Sequence, residues 1–516
     1  VGQRDDPVST PPHNLRGVRV KRSRTVDVLL AVSILILYLA MASDPAPNVM
    51  TDGGVYHTLS STDAANVTDV SYVWQQVNGL CHWASLSMTS QHAGAPLDFP
   101  GICAASGIGF TAMYIREDGV FWSGPHFREM TQLQTLAEFY DLNITLVLDD
   151  GNSEFGRLLV DSQRVTGVPF TEIDGWDEAF AILKRTIDSG HPVELFLNPY
   201  YLPRADYDLI RTLNWSDTNS GHSVVAVGYD EAAGLVYLAD PGIGILGNFY
   251  GCPDQSEWNY AVDLTTLEAA WFETFGMVIV QPASESVQDS SRNVAEFVIA
   301  RLRGDWESYA PEREPIPFVA LGSNAYRSLA DDLTGSRLSQ HLDSLGDLSP
   351  QAKAHYLRAF AADIETHVSL QYVAYRAAVL GLQNVLAGLD VANLVQIAGG
   401  AFTHFDTLSS NSSLNDFDYV AGGSDLTDTF LNFAYQCEFV VEGDVRAAAS
   451  LVKDDLEALQ KHLHAIADVW EAVAQELAHL LGPSGTALMA LAAGSGSIAL
   501  MVGTAVLLRR RRSGLI

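Results

Sequence analysis

The sequence predicts an α+β domain followed by an all-α helical region, with a hydrophobic segment at each end. Three observations predict this order. Residues 66–280 mix short β-like runs with helix-periodic segments, residues 294–481 are helix-like almost throughout, and an uncharged run stands near each terminus. At 516 residues and 47% hydrophobic, the chain can bury two cores, and a disordered polymer is excluded.

Within residues 66–280, "ITLVLDD", "PVELFL", "SVVAVGY" and "LVYLAD" read as strands because apolar and β-branched residues run together between turn residues. Helices are expected around 81–92, 128–141 and 176–189. In the second, Met130, Leu133, Leu136 and Phe139 recur at three-residue steps; in the third, Ala179, Ile182, Leu183 and Ile187 share a face. "QPASESVQDSSRN", residues 281–293, is a linker by composition. Ser349-Pro350 then makes an N-cap followed by a first-turn proline, opening a periodic run to about residue 388. Asp444 opens another that meets no breaker before Gly482-Pro483, about 55 Å if helical throughout. Residues 294–481 are therefore expected to be a helical domain or stalk. No internal repeat of fixed period is present.

The basic segment 1–27 precedes "VLLAVSILILYLAMA" at 28–42, and the segment 28–43 suits a signal peptide or a signal anchor, with Ala40-Met41-Ala42 as a small-residue cleavage site. Residues 486–508 are 23 uncharged residues stopped by Arg509 to Arg512; that length spans a bilayer and leaves the tail 509–516 in the cytoplasm. With both basic flanks inside, the main domains are expected outside, at the cell membrane. Sequons at Asn66, Asn143, Asn214 and Asn411 suit an external glycoprotein. The balance of 62 acidic to 30 basic residues, net −32, excludes nucleic acid as a partner of the soluble part. Five lysines against 25 arginines on an acidic chain suggest a salt-loving archaeal source or an acidic secreted protein.

An external compartment permits disulfides, and Cys81, Cys103, Cys252 and Cys437 could form two bridges in three ways, or one bridge with two free thiols. "VWQQVNGLCHWASLS", residues 73–87, sets Cys81 after a Gly-containing turn and at a helix start, where the helix N-terminus favours a thiolate. Six residues earlier, the Gln75 amide can donate to a developing oxyanion. A base and its orienting partner come from "GHSVVAVGYDEAAGLVYLADPG", residues 221–242: two strands about the turn Asp230 to Gly234. Pairing Tyr229 with Leu235 sets Asp240 opposite Val224 and diagonal to His222, within reach of a His–Asp hydrogen bond.

Gln75 six residues before Cys81, Gly221-His222 opening a strand, and "LADP" carrying Asp240 together resemble the papain-like cysteine peptidase superfamily. The resemblance is nearest to its branch of double-glycine leader peptidases, which process bacteriocin precursors. It implies a papain-like fold for residues 66–280, with Cys81 as nucleophile, His222 as general base and acid, Asp240 as its orienting residue and Gln75 as oxyanion donor. Leu80 and His82 depart from that branch, which usually has aspartate and glycine there, so cleavage of double-glycine leaders is not carried over. A weaker resemblance to the butirosin-biosynthesis acyltransferase family, through "LGSNAYRSLADDL", keeps acyl transfer as an alternative. A silent cell-surface binding protein is the other.

The mechanism implied is attack of the Cys81 thiolate on an amide carbonyl of a peptide or small amide, through a thioester, with no cofactor and no metal. Cys103 lacks a glutamine six residues before it, lies in a loop-like "GICAASGIG", and suits a bridge to Cys252. Cys437 is expected to be buried and His82 exposed. His191, the one rival base, precedes a proline at a strand entry, a structural position. His462 with His464, and His367 with Asp363, do not converge as metal ligands.

Overall fold

A computed structural model describes residues 64–76, 79–115, 120–123, 131–149, 170–212, 221–245, 251–271, 274–283, 290–304, 319–333, 348–409 and 424–482. The two terminal hydrophobic segments, Met130, His126, Asn214 and Asn411 lie outside them. Among the described residues no helix is long and apolar enough to cross a membrane.

The first part of the chain builds an eight-stranded sheet. Its strands are β1 (Ala64–Asn66), β4 (Leu142–Asp149), β5 (Phe170–Ile173), β6 (Val193–Leu197), β7 (His222–Asp230), β8 (Leu235–Ala239), β9 (Asn259–Asp263) and β10 (Met277–Pro282). Their order is β5-β4-β10-β6-β7-β8-β9, with β1 on β7; all pairs are antiparallel except β4 with β5. β6 and β7 are almost wholly buried, which is why they read as continuous apolar runs rather than alternating ones. Helix α1 (Cys81–His92) crosses the sheet, and Ser85 Oγ donates to Ser223 O of β7 at 3.2 Å. It is buried from Cys81 through Ser90 apart from His82, so it is a central helix with no solvent face to set its period.

Helix α2 (Phe99–Ala105) is capped by Asp98, whose side chain accepts from Gly101 N. It carries Cys103, buried in a helix rather than a loop. All four cysteines are free thiols: Cys81, Cys103 and Cys437 buried, Cys252 exposed, so the Cys103–Cys252 bridge does not form. A second, three-stranded sheet joins β2 (Ala112–Ile115) to β3 (Val120–Ser123) and, from far along the chain, to β11 (Val319–Leu321). Helices α3 (Thr131–Phe139) and α4 (Gly175–Asp188) stand where the periodicity places them. Short α5 (Asp208–Thr212) and α6 (Leu264–Trp271) complete the domain.

The helical region comprises α7 (Ser290–Arg303), α8 (Ser323–Asp332), α9 (Pro350–Val385), α10 (Ala392–Gly399), α11 (Phe402–Leu408), α12 (Asp425–Tyr435), α13 (Val445–Leu451) and α14 (Lys453–Leu481). Ser349 caps α9 by accepting from Ala352 N at 3.2 Å, as its Ser-Pro sequence predicts. Asp444 caps only the short α13; the chain breaks at Val452 and α14 starts afresh, so the single 55 Å helix expected from Asp444 is two. The region also packs onto the sheet domain. Its β11 belongs to the sheet of β2, and α9 lies against α2 so closely that Gly381 faces the Pro100 carbonyl with no room for a Cβ. Gln371 Nε2 donates to Gly109 O at 2.6 Å. Tyr326, Tyr375, Phe405 and Trp470 form an aromatic cluster in one core continuous with that of the sheet domain.

Candidate active site

Gly79, at φ +87°, turns the chain into α1, and Leu80 occupies the cap position without any side-chain cap. The first-turn N–H groups, that of Cys81 among them, have no intrahelical acceptor by geometry. Cys81 thus presents a thiol beside open backbone donors and the positive end of a twelve-residue helix. Its Sγ lies 3.9 Å from the carbonyl oxygen of Gly221, the residue that precedes His222 at the start of β7.

The register explains how His222 and Asp240 meet. Next to the turn, Asp230 pairs with Leu235 and Tyr229 with Val236, one residue away from the pairing expected from the sequence. A bulge between Ala226 and Gly228 absorbs that residue, and beyond it Ala226 pairs with Leu238 and Val225 with Ala239. One further step sets Asp240 against Val224, the position expected. The correct juxtaposition therefore arises from a different turn register and a compensating bulge.

His222 Nε2 donates to Asp240 Oδ1 at 2.7 Å, and the same imidazole is hydrogen-bonded to Cys81. Both residues are buried, His222 8% exposed and Asp240 not at all. Burial opposes the imidazolium, but the Asp240 carboxylate, its hydrogen bond and the hydrogen-bonded Cys81 sulfur outweigh it and push the His222 pKa up to about 10. Burial likewise opposes the charge on Asp240, yet His222 and its other donors hold the carboxyl below its ordinary value.

Those donors are residues that sequence reasoning missed. Tyr207 and Tyr260 each donate a phenol hydroxyl to Asp240 Oδ2, at 2.8 and 2.9 Å, and Gly242 N donates to Oδ1 at 2.8 Å. Tyr207 Oη also lies 2.9 Å from His222 Nε2, covering the His–Asp bond. Tyr72 Oη donates to the Asp240 carbonyl at 2.8 Å while its ring stacks on Trp258. Burial and the Asp240 charge raise the pKa of all three tyrosines, so they remain donors. Gly242 is required for a second reason: a Cβ there would stand 2.7 Å from His222 Cε1 and 2.9 Å from Tyr207 Oη. No spacing motif in the sequence ties these tyrosines to Asp240, because they come from three separate places: the segment before Gln75, the short turn Ala205–Tyr207 and strand β9.

Gln75 is 2% exposed, and its backbone N–H donates to Pro241 O at 3.2 Å. Trp74 Nε1 donates to Ile243 O at 2.9 Å. The segment before Cys81 is thereby tied to the loop after Asp240, and Gln76 is left-handed at φ +64°. Rival candidates fall elsewhere. His191 packs its ring edge-on to His92 at 6.2 Å, away from Cys81, and Cys437 is buried in a π-helical turn, Gln436–Val440. His82 is not free in solvent as expected; it is part-buried and bonds Glu194. No group of three metal-ligating side chains converges among the described residues.

Residues 67–245 match the model of the Peptidase_C39 like family. The match supports the papain-like cysteine peptidase superfamily and separates no finer branch within it. It begins ahead of Gln75, includes Cys81, His222 and Asp240, and ends beside Gly244, which the Asp206 carboxylate anchors. No curated protein matches the chain.

Proposed function

We propose that this papain-like cysteine peptidase domain hydrolyses peptide or amide bonds through a thioester on Cys81. The observation that carries the proposal is the buried, hydrogen-bonded His222–Asp240 pair, delivered by β7 to the uncapped start of the helix that bears the thiol. In the first half-reaction the Cys81 thiolate attacks the scissile carbonyl, and the oxyanion is met by the Cys81 N–H and the Gln75 amide. His222, kept as an imidazolium by Asp240, protonates the leaving amine. It then takes a proton from the water that opens the thioester. The sequence motif that suggests acyl transfer, residues 321–333, runs from the end of β11 through the whole of α8, and the family match lends that alternative no support.

The proposal extends to placement: the peptidase acts outside the cytoplasm, held by the terminal hydrophobic runs. Support comes from their basic flanks and from Asn143, which is exposed on β4 within its sequon. Incubating full-length protein in its membranes with a peptide library, and reading new termini by mass spectrometry, is expected to give cleavage that Cys81→Ala abolishes. Protease added to sealed cells should remove the domain and spare the residues after 486. Cleavage that persists in Cys81→Ala would remove the proposed nucleophile, and protection of the domain would reverse the topology.

A further inference from the structure

Strand β6 lies between β10 and β7, and its sequence is apolar except for one residue, Glu194. That glutamate is fully buried. A charged side chain at the centre of a sheet breaks the local pattern and carries a desolvation cost, so its partners explain why it is there. One carboxylate oxygen, Oε1, serves two of them. His82 Nδ1 lies 2.7 Å away, and the Ser223 hydroxyl donates to the same oxygen in a very short hydrogen bond. His82 follows Cys81 in the chain, and Ser223 follows His222. Oε2 is buried with no hydrogen-bond partner among the described residues. The carboxylate is therefore held by these two neighbours of the dyad rather than by a general polar network.

We propose that Glu194 is a positioning residue that ties the start of α1 to the start of β7 and so fixes the separation of the Cys81 thiol and the His222 imidazole; the proposal rests on the peptidase reading above. The geometry supplies the mechanism. α1 and β7 are distant in sequence, and beside the Cys81–His222 pair itself the ties between them at this end include the Cys81–Gly221 contact, the Ser85–Ser223 hydrogen bond and the Glu194 clamp. The first two reach backbone carbonyls. Glu194 alone in this set couples both elements through a third, buried between two strands. His82 also packs edge-on to the buried Trp83 and the part-buried Phe196, so its ring cannot turn away from the carboxylate without disturbing these aromatics. A separation error of about an ångström at such a pair costs on the order of a hundredfold in rate.

The test uses the full-length protein and the rate at which iodoacetamide alkylates Cys81, followed by peptide mapping, together with peptide hydrolysis. Glu194→Leu removes both arms, whereas Glu194→Gln keeps a carbonyl oxygen able to accept from His82 and Ser223. The expected result is at least a tenfold loss of Cys81 alkylation and of kcat in Glu194→Leu, with recovery to within about threefold in Glu194→Gln. Should Glu194→Leu fail to fold, Ser223→Ala and His82→Phe each remove one arm. Their losses should then be non-additive in the double variant, because both arms converge on one oxygen. Wild-type alkylation in Glu194→Leu, or additive effects of the two arms, would overturn the clamp. Failure of the peptidase reading looks different: wild-type Cys81 would itself be unreactive, whatever stands at 194.

Discussion

Replacing His222 with alanine is expected to lower peptide hydrolysis by about 10^4-fold or more while leaving the fold in place. The loss is large because one imidazole has two tasks, holding the thiolate as its ion-pair partner and protonating the leaving amine. The fold survives because Asp240, although buried, keeps three other donors in Tyr207, Tyr260 and Gly242 N. Its carboxylate is thus not left bare in the interior, the usual reason that breaking a buried pair unfolds a protein. Steady-state hydrolysis of a peptide identified by library cleavage, with circular dichroism alongside, checks both halves. Retention of more than a tenth of the wild-type rate would mean another group supplies the proton.

Asp240 separates orientation from charge. Asp240→Ala orphans four buried donors: the His222 Nε2–H, the two phenols and the Gly242 N–H. At about 1–3 kcal/mol for each unsatisfied group, partly relieved by relaxation, the expected destabilisation is about 3–6 kcal/mol, with hydrolysis nearly lost. Asp240→Asn keeps an oxygen for His222 and Gly242, and the tyrosine hydroxyls can rotate to accept from the new amide, so measurable hydrolysis should remain. What Asn removes is the charge. His222 titrates at about 10 in the folded protein against about 6.5 unfolded, so its pairing with Asp240 contributes stability fully below about pH 6.5 and loses it as pH rises toward 10. The Asp240 carboxyl, held below its ordinary value, contributes above about pH 4 and loses that contribution as pH falls through its folded pKa. The Tm gap between wild type and Asp240→Asn should be widest between about pH 4 and 6.5 and close toward pH 10. The alkaline limb of kcat/KM, near pH 10 in wild type, should move to lower pH in the variant. A Tm gap that does not vary with pH would show that charge on Asp240 does not act through His222.

The legible parts of this molecule were those set by local sequence. α1 covers the residues its pattern marked, Ser349-Pro350 caps a helix, and His222 and Asp240 meet across a hairpin. The hairpin also shows the limit of such reasoning: the side of the turn was off by one residue, and a bulge that no residue type announces restored the expected pairing. The tyrosines around Asp240 were illegible because their roles depend on long-range packing; Tyr207 and Tyr260 stand 33 and 20 residues from the carboxylate they bond. Glu194 was hidden differently: an acidic residue in a short apolar run gives no hint that its strand is central. The packing of the helical region was hidden for a similar reason. Periodicity locates a helix face but does not say what covers it, and here α9 covers α2 of the sheet domain.

Activation and exposure make opposite claims about the thiols, and this decides the central assignment. Cys252 is exposed, Cys81 is 6% exposed, and Cys103 and Cys437 are fully buried, with burial raising the Cys103 and Cys437 thiols above the ordinary value. A reagent that follows access alone would modify Cys252 first. Treating the native protein with substoichiometric iodoacetamide near neutral pH, then mapping the alkylated peptides, should instead find Cys81 modified at least tenfold faster than Cys252, with that preference lost in His222→Ala. Labelling that follows exposure, with Cys252 first and Cys81 unaffected by His222→Ala, would contradict the assignment of Cys81 as the nucleophile.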